Sequence, residues 1–394
     1  MKWSDFENKT VAIWGIGREG TSVLNALKKR VVNCRIIEVS EKNLDCLYEC
    51  QIIVKSPGVS LYRDEIRRAK DLGIAVTSCT NIFMANKNPA SKVICITGTK
   101  GKSTTSALLA HTLKVLGKTV CFGGNIGKPL LDFVDETPEF FVAETSSYQC
   151  ADFVGRPDLG ILLSLYSAHL PWHGSLQQYH DDKKNMIRQS QDVIDINTLD
   201  FFAKDGFFCQ SNQKLFSLDA LGLYGQHNIQ NACVVLQAVQ KLGFQPQDCE
   251  SAFKTFESLP HRLQKVGQKD GVLYINDSIA TLPESVIVAL DTFKNRPITL
   301  IVGGWDGGYD YSELNQKILD MGVLALALPD TGDKITTPYH VANMAQAVQM
   351  AYEKTLSGGV VLMSPGAPSY NQYENFEQRG EDFIKLVGKL KDKE

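Results

Sequence analysis

At 394 residues the chain is too long for one ordinary hydrophobic core and fits two or three, each able to bury its own interior. With 43% hydrophobic and 22% charged residues and a formal net charge of -3, it is excluded from the disordered, the strongly basic nucleic-acid-binding and the polybasic membrane-anchored classes. Its partner has to be read from sites.

The opening Met1–Lys9 stretch has no apolar run suited to a signal peptide, and no later window approaches the roughly 18 apolar residues that span a bilayer. A cytoplasmic protein without membrane association is expected. The ten cysteines are scattered, without a CxxC pair, and several fall in strand-like runs such as Val93-Ile94-Cys95-Ile96. They read as reduced small hydrophobes, not as zinc ligands or a disulfide framework.

Short β-branched runs alternate with amphipathic stretches throughout, which predicts an α/β chain of βαβ units with parallel sheets. The first block takes its strands from Val11–Trp14, Arg35–Glu38, Gln51–Val54 and Ile74–Val76, and ends at the polar, proline-marked Asn86-Lys87-Asn88-Pro89. The second opens on the strand Lys92–Thr97 and closes near Phe256-Glu257-Ser258, after a helical pattern from Asn228 to Leu242. A third begins at Leu259-Pro260-His261-Arg262, with strands at Val272–Ile275, Ile298–Val302, Val323–Leu326 and Val360–Met363. The domains are therefore expected at 1–87, 88–258 and 259–394. No short-period repeat or low-complexity tract points to a solenoid.

In the first block, Gly15-Ile16-Gly17-Arg18-Glu19-Gly20 follows the first strand and matches the GxGxxG turn of a Rossmann unit. Glu38 follows at about the distance where an acid can take a ribose hydroxyl. Taken alone, this turn could serve NAD, the nucleotide half of a sugar-nucleotide substrate, or no ligand.

The second block carries Gly98-Thr99-Lys100-Gly101-Lys102-Ser103-Thr104 between a buried-type strand and the helical Ser106–Ala110. Successive backbone N–H groups of such a loop wrap a polyphosphate, and the helix N-terminus adds its partial positive charge. Lys102 would reach the β/γ-phosphates of ATP and the Ser103 hydroxyl would hold Mg²⁺. The spacing is shorter than the GxxxxGK[ST] of general nucleoside triphosphatases, since only two residues separate Gly98 from Gly101.

Beyond the strand Phe140–Ala143 comes Glu144-Thr145-Ser146-Ser147-Tyr148-Gln149, placing an acid at a strand's carboxyl end, where open parallel sheets bind ligands and a carboxylate suits Mg²⁺. The strand Leu159–Leu163 leads to His169, His173, Tyr179 and Lys183 within one short stretch. Of the two histidines, convergence with Glu144 favours His169 as the functional one; His173 reads as a core or surface residue.

These motifs, in this order, resemble the Mur ligase family, whose members join amino acids to UDP-N-acetylmuramic acid intermediates. The resemblance covers nearly the whole chain and extends to Gly123–Gly127, Gly225–Ala232, Leu259–Arg262, Asn276-Asp277-Ser278 and Ser364–Ser369, while the ending Asn375-Phe376-Glu377-Gln378-Arg379-Gly380 is similar to the glutamate-adding members in particular. It implies an N-terminal Rossmann-like domain for UDP, a central P-loop ATPase domain and a C-terminal Rossmann-like domain that brings the amino acid.

By position, the resemblance makes Lys102, Glu144, His169 and Lys183 the catalytic set, with Ser103, Glu144, His169 and Lys183 holding two Mg²⁺ ions, the lysine as a carbamate formed with CO₂. ATP would lie on Gly98–Thr104 with Asn228, Asn231, Arg262 and Asp277. UDP-N-acetylmuramoyl-L-alanine would meet Gly15, Ile16, Gly17, Arg18, Glu38, Asn125 and Ser146, and glutamate would meet Thr281, Ser369 and Phe376. A monomer with small-molecule partners only is implied.

The chain departs from the family pattern at Ala168 and Pro171, where acids flank the metal-ligand histidine, at Ile279, where a lysine follows Asn-Asp-Ser, and at Gly307, where a lysine meets the glutamate side chain. Lys100, Trp172-His173-Gly174-Ser175 and Asp277–Thr281 look more like members that add L-glutamate than those that add the D isomer. Three other readings remain: a folylpolyglutamate synthase-like ligase, against which the N-terminal block argues; a non-catalytic nucleotide-binding regulator, against which Lys102, Glu144, His169 and Lys183 argue; and an NAD oxidoreductase, for which nothing downstream resembles a hydride site.

Overall fold

The computed structural model describes residues 1–391. The chain separates into two compact units, one made of Met1–Leu221 with Ile229–Thr255, the other of Gly222–Asn228 with the chain from Phe256 onward.

Within the first unit, β1 (Thr10–Trp14), β2 (Arg35–Val39), β3 (Ile52–Lys55) and β4 (Ala75–Ser78) form an all-parallel sheet in the order β2-β1-β3-β4. A second parallel sheet follows from β5 (Lys92–Thr97), β6 (Val120–Gly124), β7 (Phe140–Glu144), β8 (Leu159–Leu162) and β9 (Asp192–Asp195), ordered β6-β7-β5-β8-β9. The inner strands of this sheet are continuous apolar runs because both faces are covered: Val93–Ile96 and Phe141–Ala143 have no exposed surface. An antiparallel meander of β10 (Phe201–Lys204), β11 (Phe207–Gln210) and β12 (Gln213–Ser217) completes the unit.

Strand order places the sites. The chain leaves β5 toward β6 on one side and leaves β8 toward β9 on the other, so a crevice opens at the carboxyl ends of β5 and β8. The same reversal separates β1 from β3 in the first sheet. The helix Cys79–Asn86, absent from the sequence expectations, is buried along its first five residues and packs the two sheets into one core, where Phe83 meets Phe141 edge-on at 5.0 Å. The 87/88 boundary thus falls in a short connection after a helix that shares its core with the second sheet.

In the second unit, β13 (Gln264–Lys269) pairs antiparallel with β14 (Val272–Asn276), and β15 (Ile298–Val302), β16 (Leu324–Ala327) and β17 (Val360–Met363) extend a parallel sheet in the order β13-β14-β17-β15-β16. Helices Pro283–Thr292, Ser312–Asp320, Met344–Lys354 and Phe376–Gly388 cover it. Its switch point lies between β17 and β15, which leads to β16 on the far side.

Candidate active site

The turn after β5 is a tight glycine loop that runs into a helix N-terminus. Gly101 caps the helix Lys102–Val115 in the left-handed region at φ 85°, and a Cβ there would stand 2.6 Å from Asn231 Oδ1, so only glycine fits. Thr99 N–H is anchored on Ser164 O at 2.8 Å, tying this turn to the one after β8. The Lys102 ammonium donates to Gly98 O and Thr99 O at 3.0 and 3.1 Å, which keeps its charge at the mouth of the loop. Lys100 is exposed, Ser103 half-buried and Thr104 buried in the first turn.

Glu144 ends β7 at 1% exposure. Its Oε1 accepts from Asn125 Nδ2 at 2.6 Å, while Oε2 is buried with no hydrogen-bond partner. Leaving an acid oxygen dry and unsatisfied is costly unless a cation completes it. Ser146 is committed locally as the N-cap of Ser147–Ala151, in a capping box with Gln149.

Lys183, on the helix Leu176–Gln189, is also 1% exposed and donates to Gly98 O at 2.9 Å. Burial pushes its ammonium down to about 7, with the Lys102 charge adding repulsion and Glu144 pulling the other way. A large share of the amine is therefore neutral near pH 7.

His169 lies at φ 55°, at the N-cap of the short helix Leu170–His173. Burial first, then the positive charge of Lys183, holds it below the usual imidazole range. Its Nδ1 is 2.9 Å from Tyr148 OH, and with Nδ1–H donated there the free Nε2 is competent as a metal ligand. Tyr148 thus orients the imidazole where Ala168 and Pro171 offer no acid, and Pro171 suits the first turn of the helix it occupies.

His173 is buried, with Nδ1 2.5 Å from Asp182 Oδ2 and Nε2 3.0 Å from Ser147 Oγ. Asp182 also accepts from Tyr62 OH at 2.5 Å, Trp172 Nε1 donates to Pro57 O at 3.1 Å, and Tyr148 stacks on Trp172 at 4.7 Å. This network joins the loop after β3 to the His169 segment. Sequence reasoning named none of Tyr148, Trp172 or Asp182 as functional; the adjacency of Trp172 and Asp182 to chosen residues was the available signal.

At the first sheet, Gly15 follows β1 and accepts from Ser56 Oγ, Ile16 is exposed, and Gly17 caps the helix Arg18–Arg30. Arg18 donates to Gly127 O and Asn125 O at 2.9 and 3.1 Å, reaching the loop after β6. Glu19 Oε1 accepts from Gln149 Nε2 at 2.6 Å, so the GxGxxG turn is joined to the Glu144–Gln149 segment. Glu38 is exposed near the end of β2.

Asn231 sits against the phosphate loop in the first unit, whereas Asn228, Arg262 and Asp277 belong to the second. Asp277 is 6% exposed; it accepts from Leu263 N and Ser364 Oγ, and burial raises its carboxyl to about 6 against these hydrogen bonds. Thr281 and Ser369 follow β14 and β17, and Phe376 begins the last helix. Ile279 and Gly307 occupy loops at this same carboxyl edge. A shallow pocket of about 390 Å³ beside it is walled by Leu328, Pro329, Asp330, Asp333 and His340, and its acids have the wrong sign for a dicarboxylate.

Residues 96–205 match the Mur ligase middle domain. Across 98% of this chain and 98% of the relative, the sequence is 31% identical to the UDP-N-acetylmuramoyl-L-alanine--L-glutamate ligase of Micromonospora sp.. It is 34% identical to the enzyme of that name from Xanthomonas oryzae pv. oryzae, over 98% and 97% of the two chains. Among solved structures, the UDP-N-acetylmuramate-alanine ligase MurC of Thermotoga maritima superposes with a TM-score of 0.60 at 19% identity, over 97% of this chain and all of that one. MurF of the same organism, solved with ADP, gives 0.59 at 17% identity over 96% and 94%. The fold is common to these structures, and the full-length sequence agreement with the curated relatives settles kinship: this chain belongs to the Mur ligase family.

Proposed function

We propose that the chain is an ATP-dependent ligase that adds L-glutamate to UDP-N-acetylmuramoyl-L-alanine in peptidoglycan synthesis, through an acyl phosphate. The observation that carries this reading is the convergence of Lys102, the unsatisfied Glu144 Oε2 and the desolvated Lys183 amine at one sheet edge. The L isomer is supported by the names of the relatives at 31% and 34% identity.

The residues present fit a metal centre: a dry carboxylate oxygen, a neutral imidazole and an amine able to add CO₂. Mg²⁺ held by Ser103, Glu144, His169 and the Lys183 carbamate would supply the charge neutralisation a triphosphate needs before an anion can approach. Lys102 and the backbone N–H groups from Gly98 to Thr104 take the β- and γ-phosphate charge. The alanine carboxylate attacks the γ-phosphorus and ADP departs, leaving an acyl phosphate. The glutamate amine then attacks the acyl carbon, loses a proton, and phosphate leaves. An acyl phosphate hydrolyses readily, so water has to be excluded before the amine arrives.

In this reading Gly15, Ile16, Gly17, Arg18, Glu38, Asn125 and Ser146 serve the UDP-linked substrate. Asn228, Asn231, Arg262 and Asp277 complete the nucleotide site, and Thr281, Ser369 and Phe376 contact glutamate. The division 1–87, 88–258 and 259–394 is the functional one, in a cytoplasmic monomer. Among the described residues no helix is long and apolar enough to cross a membrane.

Phosphate release from ATP, measured with UDP-N-acetylmuramoyl-L-alanine and a panel of amino acids, tests the proposal. L-glutamate should drive turnover; use of D-glutamate alone would overturn the stereochemistry.

A further inference from the structure

Arg379, in the first turn of the helix Phe376–Gly388, is 1% exposed. Its Nε donates to Ser278 Oγ at 3.0 Å, Nη2 to Ser278 O at 2.9 Å and Nη1 to Ala367 O at 3.0 Å. The guanidinium lies beneath the loops that leave β14, β17 and β15, for a Cβ on Gly304 would stand 3.1 Å from Nη1. This is the switch-point edge of the second unit, the place where an open parallel sheet receives its ligand.

Among the described residues no carboxylate pairs with the Arg379 guanidinium, and Tyr373 nearby is a neutral phenol whose hydroxyl donates to Asp382 at 2.8 Å. Asp277 is engaged by Leu263 and Ser364, and Asp382 by Tyr373. Burying a cation on carbonyl and hydroxyl acceptors alone is costly, and folds keep such a charge where an anion later completes it. The lysine these loops do carry, Lys334 after β16, is ion-paired with Asp306 at 2.7 Å, and Ile279 and Gly307 stand where lysines are expected. Ser278, gripped twice by Arg379, in turn donates from Oγ to Phe376 O at 2.7 Å, so the same fork sets three loop positions.

We propose that Arg379 is the specificity-determining positioning residue of the amino-acid site, whose fixed positive charge and hold on Ser278 and Ala367 make this edge select a dicarboxylic amino acid. The proposal rests on glutamate being the substrate. Its charge acts from below the loops and its hydrogen bonds set the substrate-facing peptides; it need not touch the reacting atoms.

The test uses the full chain with ATP and UDP-N-acetylmuramoyl-L-alanine saturating, comparing L-glutamate with its γ-methyl ester, which lacks the side-chain charge. Arg379→Gln should raise KM for L-glutamate about tenfold or more, leave KM for ATP and the UDP substrate nearly unchanged, and erode the preference for glutamate over the ester. Arg379→Lys, which keeps the charge and should fold, should retain most of that preference. Equal losses on glutamate and ester, or a folded lysine variant that no longer discriminates, would overturn the proposal. A natural chain that ignores L-glutamate would remove the reading beneath it, whereas a natural chain that uses it beside an Arg379→Gln variant that discriminates as before would remove this proposal alone.

Discussion

Replacing Glu19 by glutamine should stabilise the protein at neutral and alkaline pH and have little effect in acid. Glu19 Oε2 is buried without a hydrogen-bond partner, and burial raises its carboxyl from 4.5 to about 7 although Gln149, Lys55 and Arg18 all pull it down. Above the folded value the carboxylate is ionised in both states, and the native state carries the full desolvation penalty. Below 4.5 it is protonated in both, and the penalty vanishes. A displacement from 4.5 to about 7 corresponds to roughly 3 kcal/mol, which the partial exposure of the rest of the side chain reduces to about 2 kcal/mol. A neutral amide keeps the bond to Gln149 without that cost. Urea unfolding of both proteins from about pH 4 to about pH 8 should show a stability gap near zero at the acid end and about 2 kcal/mol in favour of Glu19→Gln at the other. A gap independent of pH, or a variant less stable at pH 8, would refute the reasoning.

Lys183→Ala should abolish turnover and regain part of it when a short carboxylate such as formate is supplied, since the missing negative group can be replaced in solution; activity measured with and without formate decides it. Tyr148→Phe removes the partner of His169 Nδ1 and should raise the Mg²⁺ concentration for half-maximal activity about tenfold, with a near-normal unfolding temperature. Asp182→Ala strips acceptors from Tyr62, Gln178 and His173 at once and should cost about 3 kcal/mol in a denaturant titration.

The parallel strands were legible because burial on both faces makes them continuous apolar runs: Val93–Ile96 and Ile298–Val302 announce themselves. Edge strands are uneven: β2, β4 and β16 were legible too, whereas β6, β9 and β13 were not. β13 reads Gln-Lys-Val-Gly-Gln-Lys and is held by its pairing with β14, a long-range cause that composition does not express. The β10–β12 meander did leave a signal, for Asp205-Gly206, both at positive φ, is a hairpin turn between aromatic pairs. Cys79–Asn86 hid for another reason, burying polar Thr80 and Asn81 beside Ile82 and Phe83 and being too short to show a period.

In the site, residues chosen by motif and strand position fell together: Gly98–Thr104, Glu144, His169 and Lys183 converge because their loops share one sheet edge. What motif reading missed were the residues that orient them. Tyr148 reaches His169 across 21 positions, and Arg379 reaches Ser278 across 101. Such contacts follow from strand order, which the pattern of strands and helices does not dictate.

The central claim is transfer of the γ-phosphoryl group to the alanine carboxylate. UDP-N-acetylmuramoyl-L-alanine labelled with ¹⁸O in that carboxylate, turned over with ATP and L-glutamate, should release inorganic phosphate carrying one labelled oxygen. Unlabelled phosphate from an enzyme that still forms product would contradict the acyl-phosphate account.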